Sequence, residues 1–95
     1  MKTLPKNPTI RDKYLPAMNV QTEAEAAECF EACVQHCMSA LGANQEQAEA
    51  NERGAIAFFA FYGFHASEET IKKIGQFFHI EDEFEKLRKS NYLPK

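Results

Sequence analysis

The chain has 95 residues, of which 44% are hydrophobic and 26% are charged, with a formal net charge of −3. This length suits one domain with a single core, and the hydrophobic content excludes an intrinsically disordered chain. The acidic balance and the absence of a basic run argue against nucleic acid as the main partner, because clustered Lys and Arg dominate such binding.

The N-terminal segment contains three of the four prolines, Pro5, Pro8 and Pro16. Proline lacks a backbone donor and disfavours helix in the residue before it, so we predict an extended arm over residues 1–21 that allows one turn near Thr9 to Tyr14, and a helical domain over residues 22–95. The apolar residues of the arm favour packing against the domain, either in the same chain or exchanged with a neighbour. The segment has no apolar stretch of the kind that a secretory signal needs, so we expect a cytoplasmic protein.

The first long helix is predicted from about Glu23 to Leu41. Thr22 and Glu25 have the spacing of a capping box, and Gly42 is placed to end the helix in the left-handed conformation. Its apolar positions recur at helical spacing and are expected to face the core. They are Ala26, Phe30, Cys33, Val34, Cys37, Met38 and Leu41.

A second helix, which Asn44 is placed to cap, is predicted from Gln45 to about Tyr62 and changes character midway. Its first half is polar, whereas the run GAIAFFAFYGF from Gly54 to Phe64 contains five aromatic residues and no charge. This run is too short to span a bilayer, which needs about 20 apolar residues, so we expect no membrane partner. A helix that is apolar on all sides must be covered on all sides, which is difficult in a domain this small.

Two further helices complete the prediction. Ser67 is placed to cap the third, and the fourth is predicted from about Glu81 to Lys89, with acids in its first turn and bases in its last. With short connections and no strand signal, the fold class is all-α, either a small four-helix bundle or an orthogonal helical array with an extended N-terminal arm.

Cys29, Cys33 and Cys37 recur every four residues, with His36 beside them. Thiolate and imidazole are ligands for Zn or Cu(I), so these four residues are candidate ligands of a soft metal. One helix cannot surround a tetrahedral ion, and no C-x-x-C motif is present. We therefore favour the interpretation that the cysteines are small buried core residues, and we predict no cofactor. An odd number of cysteines also suits a reducing compartment.

The remaining ionisable residues form no catalytic motif. The Glu-x-x-His spacing of di-iron bundles is absent, and Glu49 and Glu52 share a helix face ahead of Arg53, where we predict surface ion pairs. The last helix begins with three acids, which a DNA backbone would repel. An enzyme is therefore the less favoured class of function.

Several short motifs carry a resemblance to other proteins. They are the YLPAM turn from Tyr14, the EAEAAECF helix start from Glu23, the AEANER segment ending at Arg53, the aromatic pairs that follow, and Glu69-Thr70. Together they resemble a group of small bacterial helical proteins with a Y-x-P-A-M turn and an E-A-E-x-x-E-R helix followed by an aromatic run. The chain departs from the group by having AFFAFY where the group tends to Gly-Tyr-Tyr. The group has no assigned activity, so the resemblance implies a helical fold and no functional residue.

We predict a small protein–protein interaction or regulatory module that forms a homodimer through its aromatic helix, since exposed aromatics leave a patch that monomers rarely tolerate. An unidentified protein is the other partner considered. The predicted interface residues are Phe58, Phe59, Phe61, Tyr62 and Phe64. The alternative is a small-ligand or soft-metal binding protein that uses the space between the first two long helices. That space would be lined by Cys33, Cys37, Phe58 and Tyr62.

Overall fold

A computed structural model describes residues 10–90, in which all regular structure is helical and no strand occurs. The prediction of an all-α fold is confirmed. The elements are α1 (Ile10–Tyr14), a 3-10 turn (Leu15–Asn19), α2 (Glu23–Leu41), α3 (Gln45–Phe58), a π turn (Phe59–Gly63), α4 (Glu68–Phe78) and α5 (Glu81–Ser90). None of these helices combines the length and the apolar character that a membrane crossing requires.

The segment before α2 is helical from Ile10 to Asn19. The turn expected near Thr9 to Tyr14 corresponds to α1, whereas the prediction of an extended chain is wrong from Leu15 to Asn19. Pro16 lies in the first turn of the 3-10 segment, where its missing N–H removes no hydrogen bond from the helix. Ala17 and Val20 are buried, so the segment packs against the domain as its apolar residues indicate. The part of the predicted arm before Ile10 lies outside the described residues.

Helix boundaries follow the predicted capping residues. The Thr22 hydroxyl accepts a hydrogen bond from the Glu25 N–H at 3.1 Å. The Glu25 carboxylate accepts from the N–H of Gln21 at 2.6 Å, one residue earlier than a standard capping box provides. Gly42 ends α2 with φ of 70°, and Asn44 begins α3 with a complete capping box. Local hydrogen bonding therefore sets where α2 ends and α3 begins.

The helix that carries the aromatic run, α3, changes from α-helical to π-helical geometry in its last turn. It is α-helical to Phe58 and then π-helical, with the Phe64 N–H donating to the Phe59 carbonyl at 2.7 Å. A Cβ atom on Gly63 would lie 2.7 Å from the Phe59 ring, so a larger residue at this position would force that ring to move from its place on Tyr14. The helix ends where the sequence predicts, but its final turn carries the extra residue of a π-helix, a feature frequent at functional sites.

The main core forms where α2, α3, α4, α5 and the N-terminal turns meet. Its largest fully buried apolar side chains are Phe84, Ile56, Ile74 and Ile80. Gly75 allows α5 to cross α4 closely, because a Cβ atom there would lie 2.9 Å from the Glu81 side chain. A smaller cluster of Val34, Cys37 and Ala48 joins α2 to the start of α3.

Candidate functional site

The five predicted interface residues lie together at the end of α3, and we call this group the aromatic surface (Phe58, Phe59, Phe61, Tyr62 and Phe64). Phe58 is 43% exposed and the other four are half-buried. The Phe58 ring centroid lies 5.7 Å from that of Phe59 and 5.0 Å from that of Tyr62. Phe61 lies 5.2 Å from Tyr62 in an edge-to-face arrangement. These ring contacts join Phe58, Phe59, Phe61 and Tyr62 into one contiguous group, and Phe64 follows them directly after the π turn.

Two rings of the aromatic surface, Phe59 and Phe61, contact buried aromatic rings of the core. Phe59 stacks on Tyr14 at 5.0 Å, and Phe61 lies 5.9 Å from the buried ring of Phe84. The guanidinium of Arg88 lies over Phe61 at 5.5 Å, within the range of a cation–π contact. Among residues 10–90, the ring contacts found for Phe58 are with Phe59 and Tyr62, both members of the aromatic surface.

The Tyr62 hydroxyl is buried and has no hydrogen-bond partner within residues 10–90. A buried hydroxyl without a partner costs about 1–3 kcal/mol relative to a satisfied one. Within residues 10–90, the aromatic surface therefore contains one exposed ring, Phe58, and one buried hydroxyl without a hydrogen-bond partner.

Glu52 is fully buried, which corrects the prediction that it makes a surface ion pair. The Tyr14 hydroxyl donates to its Oε1 at 2.5 Å, and the Lys13 ammonium and the Asn51 amide donate to its Oε2 at 3.3 Å and 3.1 Å. A buried carboxylate is tolerated only with such donors, because leaving water is costly for a charge. We call these four residues the Glu52 cluster.

The Glu52 cluster fastens α1 to α3. Two of its members belong to α1 and two to α3. The carboxylate is 0% exposed, so no substrate reaches it in this conformation, and its geometry supports an anchoring role. Since the ring of Tyr14 also stacks on Phe59, the anchor positions the aromatic surface.

Sequence reasoning missed Glu52, although a signal was present. Ala48, Glu52 and Ile56 are spaced by four residues, so they share one face of α3, and all three are fully buried. Glu49, in contrast, is half-buried and accepts a hydrogen bond from Gln45 at 2.8 Å. Glu49 and Glu52, three residues apart on α3, therefore differ in their exposure to solvent.

Burial raises the pKa of Tyr14 well above its ordinary value of 10.0, and the hydrogen bond to Glu52 and the charge of that carboxylate add to the shift. The hydroxyl thus keeps its proton in the folded protein at a pH where an unfolded tyrosine ionises. A raised pKa in the folded state gives a stabilising contribution that is complete below the unfolded pKa and is lost as the pH rises towards the folded pKa.

We therefore expect the free energy of unfolding to fall above pH 10 by up to about 1.4 kcal/mol per pH unit from this one group. Urea unfolding of the wild type and of Tyr14→Phe between pH 9 and pH 11.5 measures the effect, with the variant giving the shallower profile. The pKa of Cys33 is also raised, by its hydrogen bond to Cys29 and by burial, but that contribution is common to both proteins. Parallel profiles would show that the Tyr14 hydroxyl is not held in the Glu52 cluster.

The cysteines occupy three different environments. All are free, with Cys33 and Cys37 buried and Cys29 half-buried. The Asn51 amide lies 3.8 Å from the sulfur of Cys37. His36 is exposed, and no group of three potential metal ligands comes together among residues 10–90.

The residues suggested for a ligand space between the first two long helices do not form one group. Cys33 belongs to the main core and Cys37 to the smaller cluster. The other two residues, Phe58 and Tyr62, belong to the aromatic surface. The geometry therefore favours the aromatic surface over a shared cavity as the candidate site.

A cleft of about 600 Å³ also lies between α4 and α5. Its floor includes Ile71 and Phe84, and its rim is mostly acidic. Arg88 crosses the rim and pairs with Glu68 at 3.1 Å and with Glu85 at 3.8 Å. Sequence reasoning did not identify this cleft, and its rim charges are partly neutralised by these internal pairs.

Comparisons with known proteins give no identification. No family model, no curated protein and no solved structure matches this chain. The resemblance to small bacterial helical proteins stays a prediction.

Proposed function

We propose that this protein is a small interaction module that forms a homodimer through the aromatic surface. The observation that carries the proposal is the 43% exposure of Phe58 within a contiguous group of half-buried rings. Aromatic side chains are enriched in the centres of protein interfaces, and a group of them at the surface of a small domain is a typical contact site.

A second copy of the chain is the partner that the charge distribution favours. The run from Gly54 to Phe64 has no charged residue, although the whole chain has a net charge of −3. The rings themselves therefore add no like-charge repulsion between two copies, and the guanidinium of Arg88, which lies over Phe61, is paired with Glu68. In a two-fold dimer the same patch contacts itself, so an uncharged group of rings is complementary to its own copy.

The aromatic surface is preorganised for binding in the single chain. The ring of Phe59 packs on Tyr14 and that of Phe61 packs on Phe84. The hydrogen bond to Glu52 in turn fixes the position of Tyr14. Side chains that are already fixed lose little conformational freedom on association, which favours affinity.

The proposal includes a cytoplasmic location. The three cysteines are free thiols in the structure. Free thiols persist in a reducing compartment, whereas secreted domains of this size commonly use disulfides. Reductant should therefore leave the state of assembly unchanged.

Phe58→Glu should convert the dimer into a folded monomer. At 43% exposure, the position allows a carboxylate to stay hydrated in the monomer, but the dimer would bury it against apolar rings. Leu41→Glu is the matched control, because Leu41 is a 73% exposed leucine near the opposite end of the α2–α3 hairpin and the substitution adds the same charge. We expect the control to remain dimeric.

Light scattering on a sizing column gives the mass of both variants, and circular dichroism reports their helix content. If Phe58→Glu keeps the mass of the wild type, the aromatic surface is not the interface. If it is insoluble and unfolded while the control is folded, the Phe58 ring belongs to the core of a single chain.

A further inference from the structure

The first two turns of the described chain form one segment, residues 10–19, which we call the N-terminal strap. It consists of α1 and the 3-10 turn, each of five residues. Isolated helices shorter than about 12 residues are marginal in water, so the strap keeps its helical shape only while it packs on the domain. Docking and undocking of the strap are therefore a change between two states, and the three residues Val20 to Thr22 connect it to α2.

The contacts that dock the strap on α3 centre on two side chains. The Tyr14 hydroxyl and the Lys13 ammonium donate to the buried Glu52 carboxylate at 2.5 Å and 3.3 Å. The Tyr14 ring is 3% exposed and stacks on Phe59, and Ala17 adds a fully buried apolar contact. Loss of the Glu52 carboxylate thus removes the acceptor of both polar side chains of the strap.

Tyr14 also connects the strap to the aromatic surface. Its ring and that of Phe59 are nearly parallel, with centroids 5.0 Å apart and an interplanar angle of 15°. Phe59 in turn lies edge-on to Phe58, the exposed ring of the surface. One residue of the strap therefore contacts both the Glu52 cluster and the aromatic surface.

Undocking of the strap changes the aromatic surface in two ways. Phe59 loses the ring on which it stacks. The Glu52 carboxylate lies seven residues before Phe59 on the same face of α3, and it loses the two donors that compensate its burial. A loosened ring close to an uncompensated charge is a poor contact for a second apolar surface, because burial of an unpaired charge is costly.

We propose that docking of the N-terminal strap regulates self-association, a regulation that rests on the proposed function, so that a copy with an undocked strap does not dimerise. A two-fold dimer uses the same surface of both copies, so both straps must be docked. The apparent dissociation constant then rises with the inverse square of the docked fraction, about fourfold when half of the straps are docked. The coupling is reciprocal, so dimer formation stabilises the docked strap.

The test measures the dissociation constant of full-chain variants by sedimentation equilibrium. Tyr14→Phe keeps the ring and removes the hydroxyl donor, and it should raise the constant by about threefold. Glu52→Ala removes the acceptor of Tyr14 and Lys13 and should raise it by about tenfold or more. Glu49→Ala, a half-buried glutamate on the same helix, is the matched control and should leave the constant unchanged.

Hydrogen exchange of a peptide that covers residues 10–19 measures undocking in the same proteins. We expect faster exchange in Tyr14→Phe and Glu52→Ala, in the same order as the dissociation constants. If Glu52→Ala does not fold by circular dichroism, Tyr14→Phe carries the comparison. Faster strap exchange in a folded variant with an unchanged dissociation constant would overturn the proposal, and so would strap exchange that neither variant alters.

The reciprocal effect separates this proposal from the proposed function. In the wild type, strap exchange should slow as the protein concentration rises through the dissociation constant, whereas in Phe58→Glu it should not depend on concentration. A wild type that dimerises without any change in strap exchange would overturn the regulation alone. A wild type with the mass of one chain at every concentration would overturn the regulation together with the dimer.

Discussion

Replacing Glu52 with alanine should lower the free energy of unfolding by about 3–5 kcal/mol, the usual cost of breaking a buried charged network by removing one member. The variant leaves the Tyr14 hydroxyl buried without its acceptor and the Lys13 ammonium without its partner. Because these two residues belong to α1, we also expect the N-terminal turns to detach from α3 before the rest of the domain unfolds.

Urea unfolding monitored by circular dichroism measures the loss in stability. Glu49→Ala is the matched control, since it removes a half-buried carboxylate from the same helix and should change the stability by less than about 0.5 kcal/mol. Glu52→Gln, which keeps an acceptor for Tyr14, should fall between the two. Equal stability of Glu52→Ala and Glu49→Ala would contradict the buried position of Glu52.

Replacing Phe84 with alanine should lower the free energy of unfolding by about 3–5 kcal/mol, as is usual for loss of a buried phenylalanine. Phe84 is 2% exposed and is the largest fully buried side chain, and it lies where α5 crosses Gly75. Its ring also contacts Phe61, so the variant removes support from the aromatic surface.

The midpoint and slope of denaturant unfolding separate lost stability from lost cooperativity. Leu87→Ala, on the same helix but only half-buried, is the control and should cost clearly less. A small effect at Phe84 would mean that α5 is not packed as described. If light scattering gives Phe84→Ala the same mass as the wild type, Phe61 keeps its place in the aromatic surface without the contact to Phe84.

The helices were predictable because local chemistry decides their ends. Thr22, Gly42, Asn44 and Ser67 act as caps in the structure, at the positions that their side chains or conformational freedom indicate. The grouping of the aromatic residues was predictable for a similar reason, since neighbours on one helix stay neighbours in the fold.

Features that depend on contacts between distant segments were not predictable. The hydrogen bonds of Tyr14 and Lys13 to Glu52 join residues that are 38 or more positions apart in the sequence. The spacing of Ala48, Glu52 and Ile56 places Glu52 on the apolar face of α3, but the sequence does not show which segment covers that face. The stacking of Phe59 on Tyr14 likewise joins residues that are far apart in the sequence, so no local pattern encodes it.

The candidate site likewise has features that the sequence predicts and features that it does not. Sequence periodicity places Cys29, Cys33 and Cys37 on one face of α2, but it cannot tell that the first lines a depression while the others are buried. That difference arises from the 3-10 turn, whose position against α2 is a long-range contact. The exposure of Phe58 beside half-buried rings is also a property of the assembled domain.

The solution mass of the wild-type chain, measured by light scattering on a sizing column at two concentrations with reductant present, tests the proposed function most directly. We predict twice the 10.8 kDa of one chain at the higher concentration, with Phe58→Glu at the mass of one chain. A wild-type mass of one chain at both concentrations would contradict self-association through the aromatic surface.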